Sequence, residues 1–277
     1  MNVIMKLMQP IFVNDTDVTH TTVLGQDNAN HSVSAVISRI DQDLHVGQKD
    51  FLLFVTTHRK RNNSDWDMHH KIIDSIKQKY ADRINLAVDV CLCGMREDGH
   101  CCVPDDPILT QQQLGTLAQT CAAAGADMLA PSDMQPFTVA TIRALTTKPI
   151  MSYSTKFRSV LYAPFRQVVD NEPNSDRWYQ LDVKDREAAI KSSVHYAAQG
   201  ADYLMVKPGM SSIDLINPIR EATHKPVGVY QTSGEWQAIQ SHGQMDRMLQ
   251  ETKDVFVRAG AAFMISYGAR LLNKSLK

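Results

Sequence analysis

The stretch Gln199-Gly-Ala-Asp-Tyr-Leu-Met-Val-Lys207-Pro208 decides how this chain is read. It joins a glycine able to close a helix, one tight turn, and a short apolar run suited to a buried parallel strand. The same joint recurs as Ala-Gly-Ala-Asp-Met-Leu at 124–129 and as Ala-Gly-Ala-Ala-Phe-Met at 259–264. A helix-to-strand joint repeated along one chain is what a closed α/β barrel needs.

Working outward, short apolar runs rich in strand formers lie at 9–13, 51–55, 85–90, 127–131, 149–153, 202–206, 226–230 and 262–266, eight in all. Helical periodicity fills the intervals. In 66–80 the residues Met68, Ile72, Ile73, Ile76 and Tyr80 share a face. In 110–124 the face is Leu114, Leu117, Ala118, Cys121 and Ala122, with Thr110 as the expected N-cap and Gly125 just past the end. Asp182 is the expected start of a helix running to Gln199, with Asp185 near its third position. A doubly wound open sheet shares this local grammar, but no Gly-x-Gly-x-x-Gly follows an early strand. With no linker, low-complexity tract or charge run, the expectation is a single-domain (β/α)8 barrel over residues 1–277.

The whole-chain numbers exclude more than they assign. A formal net charge of -1 over 277 residues, with 43% hydrophobic and 21% charged, gives no nucleic-acid surface and no polybasic membrane patch. Apolar runs of about half a dozen residues are too short to span a bilayer. Residues 1–10 carry one lysine and no sustained apolar core, a poor signal peptide, so a cytoplasmic location is the expectation. Of five cysteines, Cys91, Cys93, Cys101 and Cys102 crowd together, while Cys121 falls inside a helical pattern and reads as a small buried hydrophobe. Clustered thiols in an intracellular chain favour metal binding or catalysis over a staple.

Barrel enzymes collect their reactive groups at the C-terminal ends of strands. Asp89 closes the third run with Cys91 just past it, Ser132 and Asp133 stand past the fourth, Lys156 past the fifth, Lys207 past the sixth, Ser233 and Glu235 past the seventh, and Tyr267 past the eighth. Lys207 ends an otherwise apolar strand, where desolvation and a second ammonium at Lys156 lower an amine's pKa and prepare a Schiff-base nucleophile. A lysine that merely snorkels outward is the competing reading for either one alone. Two on adjacent strand ends favour chemistry on a small carbonyl substrate. In Asp89-Val-Cys-Leu-Cys-Gly-Met-Arg-Glu-Asp-Gly-His-Cys101, strand alternation would put Asp89, Cys91 and Cys93 on one side, with the loop returning Cys101. Three thiolates with a vacant fourth position make an open zinc site, which His100 or Cys102 could close. His69 and His70 lie on the polar side of their helix and read as solvated. Arg166 and Arg177, in a long segment after the fifth strand, suit a carboxylate. That segment, about 157–181, has the size of an active-site lid.

These stretches, with Ala-Pro-Ser-Asp-Met134, Ser-Tyr-Ser-Thr-Lys156-Phe, Tyr162-x-Pro-Phe-Arg166, Tyr-Gln180, Leu-Met-Val-Lys207-Pro and Tyr-Gln-Thr-Ser233-Gly-Glu, resemble the porphobilinogen synthase (5-aminolevulinate dehydratase) family from about Asn85 onward. The resemblance implies a zinc-dependent hydro-lyase that condenses two 5-aminolevulinate molecules to a pyrrole with loss of two waters. By motif, Lys207 would form the Schiff base with the first substrate and Lys156 with the second. Zinc on Cys91, Cys93 and Cys101 would polarise the second. Ser233 and Tyr267 would take one carboxylate, and Arg166, Gln180 and Arg177 the other. Tyr162 belongs to the same substrate-binding set, and Asp89 is the candidate for proton transfer. An additional magnesium ion stays open.

Departures accompany the likeness. The first strand begins about ten residues in, so the arm that supports the family's octamer is expected to be missing, and a dimer or other homo-oligomer below the octamer is expected. Residues 134–138 read Met-Gln-Pro-Phe-Thr where the family usually has Met-Met-Asp-Gly-Arg. The lid is about two residues shorter, Gln167 replaces an acid, Arg177 lies one place out of register, and Cys102 stands where a glycine is usual. These changes also fit a paralogue that condenses a different amino ketone. An aldolase-type lyase needs only one lysine and leaves the thiols unexplained, and a silent binding or assembly paralogue leaves both lysines unexplained.

Overall fold

The computed structural model describes residues 5–20, 22, 24–57, 65–168 and 177–275. Its barrel strands are β1 Lys6–Asn14, β2 Asp50–Thr56, β3 Asn85–Val90, β4 Met128–Pro131, β5 Met151–Lys156, β6 Tyr203–Lys207, β7 Val227–Tyr230 and β8 Phe263–Ile265. The helices are α1 Val33–His45, α2 Asp67–Tyr80, α3 Pro107–Ala123, α4 Thr138–Leu145, α5 Ala163–Val168, α6 Arg186–Ala198, α7 Ile216–Thr223, α8 Ser233–Gln240, α9 Met245–Arg258 and α10 Ala269–Ser275. Every barrel pairing is parallel, and β1 pairs with β8 as well as with β2. Between β4 and β5 the ladder thins to one bridge, Leu129 with Ile150, which makes the barrel nearly closed. The strands are buried on both sides because helices cover the outside and side chains fill the middle. Among the described residues no helix is long and apolar enough to cross a membrane.

The recurring joint behaves as its sequence implies. Gly125, Gly200 and Gly260 take φ of +100°, +100° and +88° just beyond α3, α6 and α9, a conformation that favours glycine. Gly228 is needed for a different reason. A Cβ there would lie 2.2 Å from the Phe263 ring of the neighbouring strand.

All eight expected strands exist, with shifted ends. The fifth was expected at 149–153 and runs Met151–Lys156. Its polar Ser154 and Thr155 hide the strand in the sequence, yet both are buried because Ser193 of α6 satisfies them at 2.9 Å each. The third helix begins at Pro107, not Thr110. Asp106 is its N-cap, accepting from Leu109 N–H at 2.8 Å, and proline fits the first turn, where its missing N–H is no loss. Likewise α6 begins at Arg186 rather than near Asp182, capped by Asp185. His69 is buried against Trp66 rather than solvated, and burial pushes its imidazole down to about 4.

Candidate active site

Lys156 and Lys207 are direct partners in the β5–β6 ladder, so two amines emerge side by side at the C-terminal rim. The register explains how. Four residues of β5, Ser152 to Thr155, lie against three of β6, Leu204 to Val206, which is one extra residue and hence a bulge. Without it Tyr153 and Lys156, three apart, would face opposite sides; with it both line one cavity. Both lysines are almost fully buried. Around Lys207 Nζ stand the rings of Tyr230 at 4.0 Å, Tyr162 at 5.1 Å, Tyr153 at 5.2 Å and Phe165 at 5.5 Å. Burial, helped by the Lys156 ammonium, pushes the Lys207 amine down to about 7. Burial opposes the charge on Lys156 too, but the sulfurs of Cys101, Cys91 and Cys93 outweigh it and hold that ammonium above the ordinary range. Lys156 Nζ donates to the Ser132 carbonyl at 2.5 Å.

The strand alternation expected for the thiols does not apply, because β3 stops at Val90. A turn then gathers them, with Met95 and Arg96 N–H both donating to the Leu92 carbonyl. The result is the expected cluster by another route. The ligand atoms of Cys91, Cys93 and Cys101 lie within 4.8 Å of one another, all buried, and Cys91 Sγ sits 3.3 Å from Cys93 Sγ. Sulfur contacts from Cys91 and Cys93, together with Lys156 and Arg177, hold the Cys101 thiol well below its ordinary pKa, while burial pushes Cys91 up. A compact, buried thiol set of this kind could hold a thiophilic metal ion. His100 and Cys102 are outside the grouped ligands. Asp89 stands at the cluster's edge with Oδ1 buried and unpartnered, and burial raises its carboxyl to about 6.

The anion-binding candidates converge from the other side. Arg166, Arg177, Gln180 and Tyr162 share the cavity wall with Asp89, Cys93 and both lysines. Burial and then the Arg177 charge lower Arg166 from its ordinary range. Arg177 Nε and both polar atoms of the Gln180 amide are buried and unpartnered. Tyr162 Oη donates to the Lys207 carbonyl at 3.0 Å. Ser233 and Tyr267 are not brought to this wall. The Ser233 hydroxyl accepts from Phe165 N–H at 3.0 Å and donates to the Leu161 carbonyl at 3.2 Å, and Tyr267 packs beside Phe12 and Tyr230. Phe165 of α5, packed against Phe54, lines a cavity of about 30 Å³, room for about two waters. Of the segment 157–181, residues 169–176 lie outside the described residues.

Several wall residues carry no chemical signal of function of their own, although Tyr153 and Phe165 lie within stretches that carry the resemblance. Phe54, Phe165 and Tyr153 look like core aromatics, and only the bulge reveals that Tyr153 lines the cavity with its hydroxyl buried and unpartnered. Glu235 proves to be a structural acid. It completes the capping box of α8 with Thr232 and accepts from Met210 N–H at 2.6 Å.

Comparisons with known proteins place this geometry. The family profile described as delta-aminolevulinic acid dehydratase matches residues 3–275, so the likeness begins well before Asn85. A delta-aminolevulinic acid dehydratase of Helicobacter pylori is 34% identical, covering 86% of this chain and 80% of its own length. That of Escherichia coli is 33% identical, covering 95% and 88%. Among solved structures, the Toxoplasma gondii enzyme in complex with its reaction product porphobilinogen superposes with a TM-score of 0.92 at 28% identity, over 99% of this chain and 86% of that one. A dihydrodipicolinate synthase from Agrobacterium tumefaciens, 12% identical with a TM-score of 0.53 over 98% and 73%, shares the fold alone.

Proposed function

The chain belongs to the delta-aminolevulinic acid dehydratase family, and from that premise we propose that it condenses two molecules of 5-aminolevulinate into porphobilinogen, losing two waters, on Lys207 and Lys156. The observation that carries the proposal is the pairing of these lysines across one ladder, with an aromatic cage around the first and a thiol cluster beside the second. An amine pushed down to about 7 is free in a substantial fraction of molecules near neutral pH and attacks the ketone carbon of the first substrate, expelling water as the Schiff base forms. Lys156 holds the second substrate in the same way once its ammonium gives up a proton. Asp89, raised to about 6 with an unpartnered oxygen, is placed to accept and return protons during carbon–carbon and carbon–nitrogen bond formation.

Arg177 and Gln180 offer unpartnered donors for one carboxylate, with the Arg166 guanidinium on the same wall. Ser233 and Tyr267 take the other once α5 withdraws, because the cavity is too small for two five-carbon substrates. Cys91, Cys93 and Cys101 fit a zinc ion in donor type, spacing and burial. When bound, zinc supplies Lewis-acid polarisation of the second substrate.

The test is incubation with 5-aminolevulinate and zinc, followed by Ehrlich's reagent. A coloured pyrrole is expected, and none at saturating substrate refutes the activity. Borohydride should trap substrate on Lys207; a Lys207→Ala variant that traps equally would refute the role of that lysine.

A further inference from the structure

Residues 177–181 touch both halves of the proposed site. Toward the thiols, Tyr179 Oη accepts the Cys101 backbone N–H at 3.1 Å and lies 3.3 Å from His100 Nδ1. Its ring packs on the cluster of Cys91, Cys93 and Cys101. Arg177 adds a hydrogen bond from Nη2 to the Gly99 carbonyl at 3.4 Å. Toward the lysine, Leu181 N–H donates to the Lys156 carbonyl at 3.1 Å and the Leu181 carbonyl accepts Arg158 N–H at 2.9 Å, forming the bridge between Phe157 and Leu181. A run of five residues therefore fixes the backbone of a thiol ligand at one end and the strand end bearing Lys156 at the other.

We infer that Tyr179 is a positioning residue that couples metal binding at the three thiols to the docking of residues 177–181 beside Lys156. The inference rests on the metal reading proposed above. Its physical basis is that Cys101 N–H is buried and its acceptor is a side chain of another segment. Without that acceptor the loop loses a reason to hold the Cys101 sulfur in place. Groups that orient metal ligands in this way typically change metal affinity by about 10–100-fold when removed. Coupling of this kind is reciprocal: if the docked segment tightens metal binding, bound metal holds the segment down to the same degree.

Tyr179→Phe keeps the ring against the sulfurs and deletes only the hydroxyl, and with it the contacts to Cys101 N–H and His100 Nδ1. Two readouts compare it with the wild type: the zinc dissociation constant, by competition with a chromophoric chelator, and amide hydrogen exchange of residues 177–181 with and without zinc. Zinc is expected to bind about tenfold or more weakly in Tyr179→Phe. The protection that zinc confers on 177–181 in the wild type should shrink or vanish. A purely structural loss would loosen the segment equally with and without metal. Equal affinities, or zinc-dependent protection that survives the substitution, overturn the coupling. A wild type that binds no zinc, or binds it as tightly after Cys91→Ala, refutes the metal reading itself and this inference with it.

Discussion

Lys207 and Lys156 occupy opposed rungs of one ladder, and their surroundings push their amines in opposite directions. Burial acts against charge on both; the difference is the neighbouring charge, an ammonium for Lys207 and chiefly the Cys101 sulfur for Lys156. Since only the free amine attacks a carbonyl, borohydride trapping on Lys207 should rise with pH through a midpoint near 7. Lys156→Met removes a positive charge that favours the neutral amine. The midpoint should therefore move up and trapping at pH 7 should fall. A midpoint that stays put or drops would show that burial alone sets the amine. These lysines and the thiols were legible in the sequence because charge at the end of an apolar strand, and thiols a few residues apart, are unusual patterns. Tyr153, Phe54 and Phe165 were not, since an aromatic residue in a strand looks the same whether it faces the core or the substrate.

At the scale of elements, the eight strands could be read from apolar runs, but their ends could not where polar side chains are satisfied by a distant helix. The fifth strand is the clear case: Ser154 and Thr155 are acceptable inside only because Ser193 meets them. The ion pair joining α1 to α10 had no local signature either, since its partners lie 227 residues apart. Asp43, fully buried, accepts from Arg270 Nη2 at 3.1 Å and from Arg39 Nε at 3.0 Å. Arg270 is itself buried. Asp43→Leu strands that guanidinium, and a cost of about 3–5 kcal/mol is expected in urea unfolding. Adding Arg270→Met should recover most of the loss, because an apolar pair of similar volume replaces a buried ion pair well. A double variant as unstable as the single would place the cost in packing instead.

For the molecule as a whole, the proposed metal site links local chemistry to global stability. Three ligands that converge only in the native state, held by the turn after β3 and by Tyr179, bind metal more tightly folded than unfolded. Zinc at a hundred times its dissociation constant should then add about 2.7 kcal/mol, less whatever affinity the unfolded thiols keep. For a chain of this size that corresponds to a rise in Tm of several degrees, at roughly 2–4 °C per kcal/mol. The sign with pH follows from ligand protonation. Thiols must lose their protons to bind, so the rise should shrink as pH falls and disappear in acid, while the metal-free Tm follows its own course. Cys101→Ser keeps the loop and removes one sulfur; in that variant zinc should leave Tm nearly unchanged. If zinc raises Tm equally in Cys101→Ser and in the wild type, the stabilisation comes from somewhere other than these thiols. The barrel would then hold its lysines without the metal assigned to their neighbours.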